Sequence, residues 1–160
     1  MGSICSIFPL YESRISKFRI MKSTFYLSLF VFCLIDASQA QTGTVRSGKH
    51  LLTLQWIGSE NPGTIQFVSK GKGLYAVIGE QRGASGDFLA IDGIIQVKNS
   101  KELLFDGTIF SQVSFINNGK SCLREGKQTF KATGTRKYWR LQKMTNCEGG
   151  MVVDYIDIYF

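Results

Sequence analysis

Hydrophobic and polar residues alternate along most of this chain. In residues 51–57 (LLTLQWI), Leu52, Leu54 and Trp56 fall on one side and Thr53 and Gln55 on the other. That period of two is the mark of a strand with one buried face. Residues 64–69 and 74–80 read the same way. Glu60-Asn61-Pro62-Gly63 and Lys70-Gly71-Lys72-Gly73 punctuate them, and a Gly/Ser-rich loop at 81–86 follows. Asp92-Gly93 lies between two apolar runs, 88–91 and 94–97, and predicts a two-residue type I′ hairpin. It would set Ile91 against Ile94 and Leu89 against Gln96. Asn99-Ser100 turns the chain again. Residues 103–116 keep Leu103, Phe105, Ile109, Val113 and Phe115 on one parity, which predicts a long strand bent at Gly107. Asn118-Gly119 predicts a second tight hairpin.

The C-terminal part holds the densest positive charge. Residues 130–133 and 138–141 flank a short loop. Their register puts Phe130 opposite Leu141 and Ala132 opposite Trp139 on the inner face, with Lys131 opposite Arg140 outside. Residues 151–160 read as the closing strand. No segment carries a sustained helical period, so the fold class is all-β. A small antiparallel meander of about eight strands is expected, closed or nearly closed into a barrel because closure removes exposed edges. A two-layer β-sandwich is the alternative. The architecture resembles a lipocalin barrel. The Gly-x-Trp opening of that family is missing around Trp56, so the resemblance implies nothing about function.

Charge and small-residue patterns change the picture at the N-terminus. The run 25–35 (FYLSLFVFCLI) follows Arg14, Lys17, Arg19 and Lys22 and precedes Ser38-Gln39-Ala40. This is the layout of a secretory signal peptide cleaved between Ala40 and Gln41. The run is too short to cross a bilayer core. Residues 1–40 therefore read as an extension plus signal peptide, with Met21 as an alternative start, and residues 41–160 as a single β domain. Met1-Gly2 with Ser6 matches a myristoylation pattern, but a signal peptide follows it. The 160-residue chain has a net charge of +7. The leader carries off Arg14, Lys17, Arg19, Lys22, Glu12 and Asp36, and the remainder stays basic, which favours anionic partners.

Four cysteines become two after cleavage, Cys122 and Cys147. An even pair in an exported chain predicts a disulfide. Two cysteines without a nearby histidine make a poor zinc site, and no D-x-D-x-D-G calcium loop occurs. No metal or cofactor is expected.

Candidate chemistry is sparse. His50, the single histidine, reads as a surface residue beside a frayed polar lead-in at 41–49. Gly83-Ala84-Ser85-Gly86-Asp87 resembles a nucleophile elbow, with Asp87 where the last glycine belongs. Asn118-Gly119-Lys120-Ser121 ends like a phosphate-binding loop, without the first glycine or a following helix. Asp154 and Asp157 differ in parity and do not pair for acid–base work. The expectation is a non-enzymatic protein with no catalytic residue.

The feature above background is a basic and aromatic face: Lys127, Lys131, Arg140, Tyr138 and Tyr155. Lys131 beside Arg140 is unfavourable unless something negative lies close. Asp157 of the last strand is one such group. An external anion is the other: a lipid headgroup, a polysaccharide or an acidic protein surface. Export argues against nucleic acid, which aromatic residues beside cations would otherwise suit. The expected function is an exported binding or interaction protein using this face. Two alternatives stand beside it, a carrier of small apolar ligands inside the barrel and a small outer-membrane barrel ending in Phe160.

Overall fold

The computed structural model describes residues 45–160. The leader and the cleavage site expected at Ala40-Gln41 lie outside the described residues. Eight antiparallel strands follow one another around a closed barrel: β1 (Gly48–Leu54), β2 (Gly63–Gly71), β3 (Leu74–Arg82), β4 (Phe88–Asn99), β5 (Glu102–Gln112), β6 (Cys122–Lys131), β7 (Tyr138–Leu141) and β8 (Ile156–Tyr159). β8 closes the ring on β1 through Leu52↔Ile158 and Leu54↔Ile156. The expected all-β meander barrel is thus the fold, and the sandwich is not.

The period of two sets what faces inward. Leu52 and Leu54, Ile65 and Phe67, Leu89 and Ile91, Leu103 and Phe105, Phe130, Leu141, Ile156 and Ile158 are all buried in one cluster. Large side chains therefore occupy the barrel interior. This inner face is predominantly apolar, the reverse of the polar lumen of an outer-membrane barrel. β7 and β8 have four residues each, where a membrane-crossing strand needs about 9–11.

Asp92-Gly93 is not a turn. β4 runs straight through it, with Asp92 against Thr108 and Gly93 against Gly107. Gly93 faces inward, and a side chain there would collide. A Cβ on Gly93 would lie 2.5 Å from the Asp106 carbonyl oxygen and 2.8 Å from the Phe105 ring. The glycine serves close approach inside a tightly curved sheet, not a positive φ. Gly93→Ala should accordingly lower stability by about 1–3 kcal/mol, read as a shift of the urea midpoint. An unchanged midpoint would mean the sheet relaxes at no cost.

Four other boundaries differ. β5 passes through Gly107 as expected but ends at Gln112. Asn118-Gly119 belongs to a longer β5–β6 connection with a 3-10 turn at Asn117–Gly119, in which Asn117 and Asn118 have φ near 51° and 52°. β6 begins at Cys122, well before the expected 130–133 strand. The closing strand is only Ile156–Tyr159, because residues 142–155 form a long cap. Trp56 falls just beyond β1, which ends at Leu54. The false hairpin splits one strand into two, which is why nine segments read from the sequence correspond to eight strands.

A meander barrel places alternate connections at opposite ends. The β1–β2, β3–β4, β5–β6 and β7–β8 connections share one end, here the capped end. The β2–β3, β4–β5 and β6–β7 hairpins share the other.

Candidate functional site

Lys131, Arg140, Tyr138 and Tyr155 lie together across β6, β7 and the approach to β8, and the charges at the centre are paired internally. Lys131 stands opposite Arg140, and Arg140 opposite Asp157, across β6, β7 and β8. The Arg140 guanidinium meets Asp157 in a fork of two 2.7 Å hydrogen bonds, Nε to Oδ1 and Nη2 to Oδ2. Tyr155 covers the guanidinium at 4.2 Å and Tyr138 flanks it at 5.1 Å. That hydrogen bond to Asp157 raises the Arg140 pKa above its ordinary value, burial opposes it, and the charge of Asp157 adds to the rise. Lys131 reaches Glu102 at 3.3 Å in a half-exposed pair, an arrangement worth little in stability. Lys127 is exposed opposite Asp106 and makes no ion pair among the described residues. The protein's own carboxylates therefore neutralise the two cations whose juxtaposition suggested an external anion.

His50 is not a surface residue. It continues the inward parity of Leu52 and Leu54 and is buried, 3% exposed. Its Nδ1 lies 2.8 Å from the Tyr159 carbonyl oxygen and its Nε2 2.7 Å from that of Arg46. Phe67 packs on the ring at 4.6 Å. Both acceptors are backbone carbonyls, so a neutral ring donates to one and the imidazolium to both. The residue ties the lead-in to the end of β8 where the barrel closes. Val45, also buried, accepts from the Tyr75 hydroxyl at 2.6 Å. From Val45 onward the lead-in is thus anchored, not frayed.

At the capped end, residues 142–155 fold onto the barrel around a buried carboxylate. Asp154 is fully buried. It accepts from the Arg124 guanidinium, from Trp56 Nε1 at 2.8 Å, and from Asn146 Nδ2 at 2.9 and 2.8 Å. Arg124 Nη2 also donates to the Thr145 carbonyl at 3.0 Å, while its buried Nη1 has no partner among the described residues. The Cys122–Cys147 disulfide fastens the same segment to β6, with Cα atoms 5.4 Å apart. The expected disulfide is present. Asp87 accepts from Ser114 N at 2.7 Å, and Gln81 Nε2 donates to the Gly58 and Asn61 carbonyls at 2.8 and 3.0 Å, so the other connections of this end are bound down. The Arg124–Asp154 pair joins residues thirty positions apart in sequence, on β6 and in the cap. The available signal was parity: both residues sit where apolar ones belong.

The opposite end carries the free charge. Lys70 and Lys72 flank the β2–β3 hairpin, Lys98 and Lys101 the β4–β5 hairpin, and Arg136 and Lys137 lie in the β6–β7 connection; all six are exposed. The hairpins touch: Lys101 Nζ donates to the Gly134 carbonyl at 3.0 Å, and Trp139 Nε1 to that of Ser100 at 3.1 Å. Among the described residues none of the six is in an ion pair, and Glu102, committed to Lys131, is the acidic side chain at this end. The described residues contain no cluster of His, Cys, Asp or Glu able to hold a metal ion.

These features define a small, filled, disulfide-stapled β-barrel with one capped end and one cationic end. The chain belongs to the PM1083 family, whose model matches residues 36–160. A relative from Pasteurella multocida (strain Pm70), Uncharacterized protein PM1083, is 36% identical over 155 residues, covering 90% of this chain and 99% of its own. No solved structure matches.

Proposed function

We propose that this is an exported, non-enzymatic binding protein that engages an anionic partner, with the cationic barrel end as the contact surface. One observation carries the reading. Three hairpins that are distant in sequence bring Lys70, Lys72, Lys98, Lys101, Arg136 and Lys137 to one end with almost no opposing charge. Like charges gathered this way repel one another and lower the stability of the free protein. An anion docked there relieves the repulsion. The Tyr138–Arg140–Tyr155 face borders this end and adds aromatic surface more than free charge. The Cys122–Cys147 disulfide is compatible with an oxidising, exported location, and the leader expected within residues 1–40 supports the same reading.

The test replaces one cation per hairpin: Lys72→Ala, Lys98→Ala and Lys137→Ala together. None of these side chains makes a hydrogen bond or ion pair among the described residues, so the fold is expected to persist. A cation near an anionic bilayer contributes about 1 kcal/mol, so affinity for phosphatidylglycerol vesicles should fall on the order of a hundredfold. Retention on heparin should move to lower salt. Unchanged vesicle affinity together with unchanged heparin retention would remove the proposal.

A further inference from the structure

The outer wall next to the cationic end holds an apolar cleft, and we infer that it takes the acyl chain of a single anionic amphiphile whose head lies on the hairpin lysines. This rests on the anionic-partner reading above and names the ligand class.

Two neighbouring rows of outward-facing residues build the cleft. One row crosses the sheet as Leu74, Gln96, Leu104 and Thr129, the other as Ala76, Ile94, Asp106 and Lys127. Leu74, Ile94 and Leu104 form an aliphatic floor in an open cleft of about 530 Å³. That volume lies within the usual range of roughly 300–1,000 Å³ for small-ligand sites. Ile94 is 42% exposed in the middle of the longest strand, where a polar residue is ordinarily found. Gln96 does not offer its amide to a ligand, because its Nε2 donates to the Lys72 and Gly73 carbonyls at 3.3 Å and pins the hairpin.

Position supplies the second half of the inference. β3 leaves the β2–β3 hairpin at Leu74, β4 enters the β4–β5 hairpin after Asn99, and β5 leaves it at Glu102. The cleft therefore opens directly onto the end that displays Lys72, Lys98 and Lys101. Lys127 closes one side of it, beside Asp106. An apolar trough ending in free cations complements a chain ending in an anion. A hydrophilic polyanion would satisfy the lysines and leave the aliphatic floor wet, losing the gain from covering it.

The experiment uses the cleaved protein, wild type and Ile94→Thr/Leu104→Thr. Both substitutions keep a strand-forming residue on the outer face and leave the core untouched. The probes are octanoyl and myristoyl lysophosphatidylglycerol below their micelle concentrations, glycerol phosphate as the head alone, and heparin. Binding is followed by calorimetry. Wild type should bind the myristoyl probe more tightly than the octanoyl one, by up to about fourfold per methylene covered. Glycerol phosphate alone should bind at least a hundredfold more weakly than the myristoyl probe. The double variant should lose at least tenfold for the myristoyl probe and keep its heparin retention. Equal affinity for both chain lengths, or an unchanged affinity in the variant, overturns the cleft assignment while leaving the cationic end in place. Loss of heparin and vesicle binding in the triple lysine variant, with no lysolipid binding by wild type, would identify a polyanion surface instead. No effect of the lysines on heparin or vesicles would remove the anionic-partner reading itself.

Discussion

Asp154→Ala should destabilise the barrel by about 3–5 kcal/mol, the usual cost of leaving a buried charge without its partner. A domain of this size has roughly 5–15 kcal/mol in total, so the variant should sit close to its unfolding threshold. The cause is local and named. Asp154 is fully buried and holds together Arg124 of β6, Trp56 after β1 and Asn146 of the cap. Without it, the Arg124 guanidinium keeps one hydrogen bond, to the Thr145 carbonyl, and already has an orphan Nη1. The measurement is a urea titration followed by tryptophan emission, since Trp56 loses its acceptor in the same step. A midpoint within error of wild type would show that the pair contributes nothing. The companion variant, Arg124→Met with Asp154→Leu, removes both charges at once. Replacing a buried pair by apolar residues is often neutral or stabilising, so the double variant should recover part of the loss, the remainder being the cost of leaving the Trp56 and Asn146 donors without their acceptor. Recovery would assign the single-variant cost to the uncompensated charge and not to lost volume.

Replacing Cys122 and Cys147 with alanine should cost about 3 kcal/mol, from the 25-residue separation of the cysteines and the entropy of closing such a loop in the unfolded chain. The effect should be distributed unevenly. β7 and β8 are the shortest strands, and the cap between them is held by the disulfide, by the Asp154 cluster and by Glu148, which accepts from Asn117 N at 2.8 Å. Amide hydrogen exchange should therefore rise most in residues 142–155 and least in β3, β4 and β5. Uniform acceleration across all strands would mean that the bridge acts on global unfolding alone. The two perturbations share the cap, so their costs should not add. A triple variant losing less than the sum of the parts would measure that coupling.

The hydrophobic alternation determined the fold class, the inward residues and most of the strand register at the C-terminal hairpin. Phe130 against Leu141 and Lys131 against Arg140 were readable because side chains alternate faces strictly and a short loop leaves few registers. The disulfide was readable from two cysteines and a leader-like N-terminus. Even His50 and Asp154 had a signal in their parity, since each occupies an inward position in a chain of apolar inward residues. What they do there was not readable. Their partners, Tyr159, Arg46, Arg124 and Trp56, come from other strands and loops and meet only when the barrel closes.

Asp92-Gly93 marks the boundary between the two kinds of information. An Asp-Gly pair between apolar runs suits a tight turn, and it equally suits a strand whose inward glycine makes room for a neighbour. Local sequence does not distinguish these, because the deciding contact is the Phe105 ring under Gly93 and the Gly107 backbone beside it. The consequence reaches the functional surface. A turn at Asp92-Gly93 would reverse the direction of everything after it and send the β2–β3 and β4–β5 hairpins to opposite ends. With β4 continuous, Lys70 and Lys72 join Lys98 and Lys101 at one end. Composition determined that the chain is basic. Where the charge gathers was decided by the crowding of one glycine inside the closed sheet.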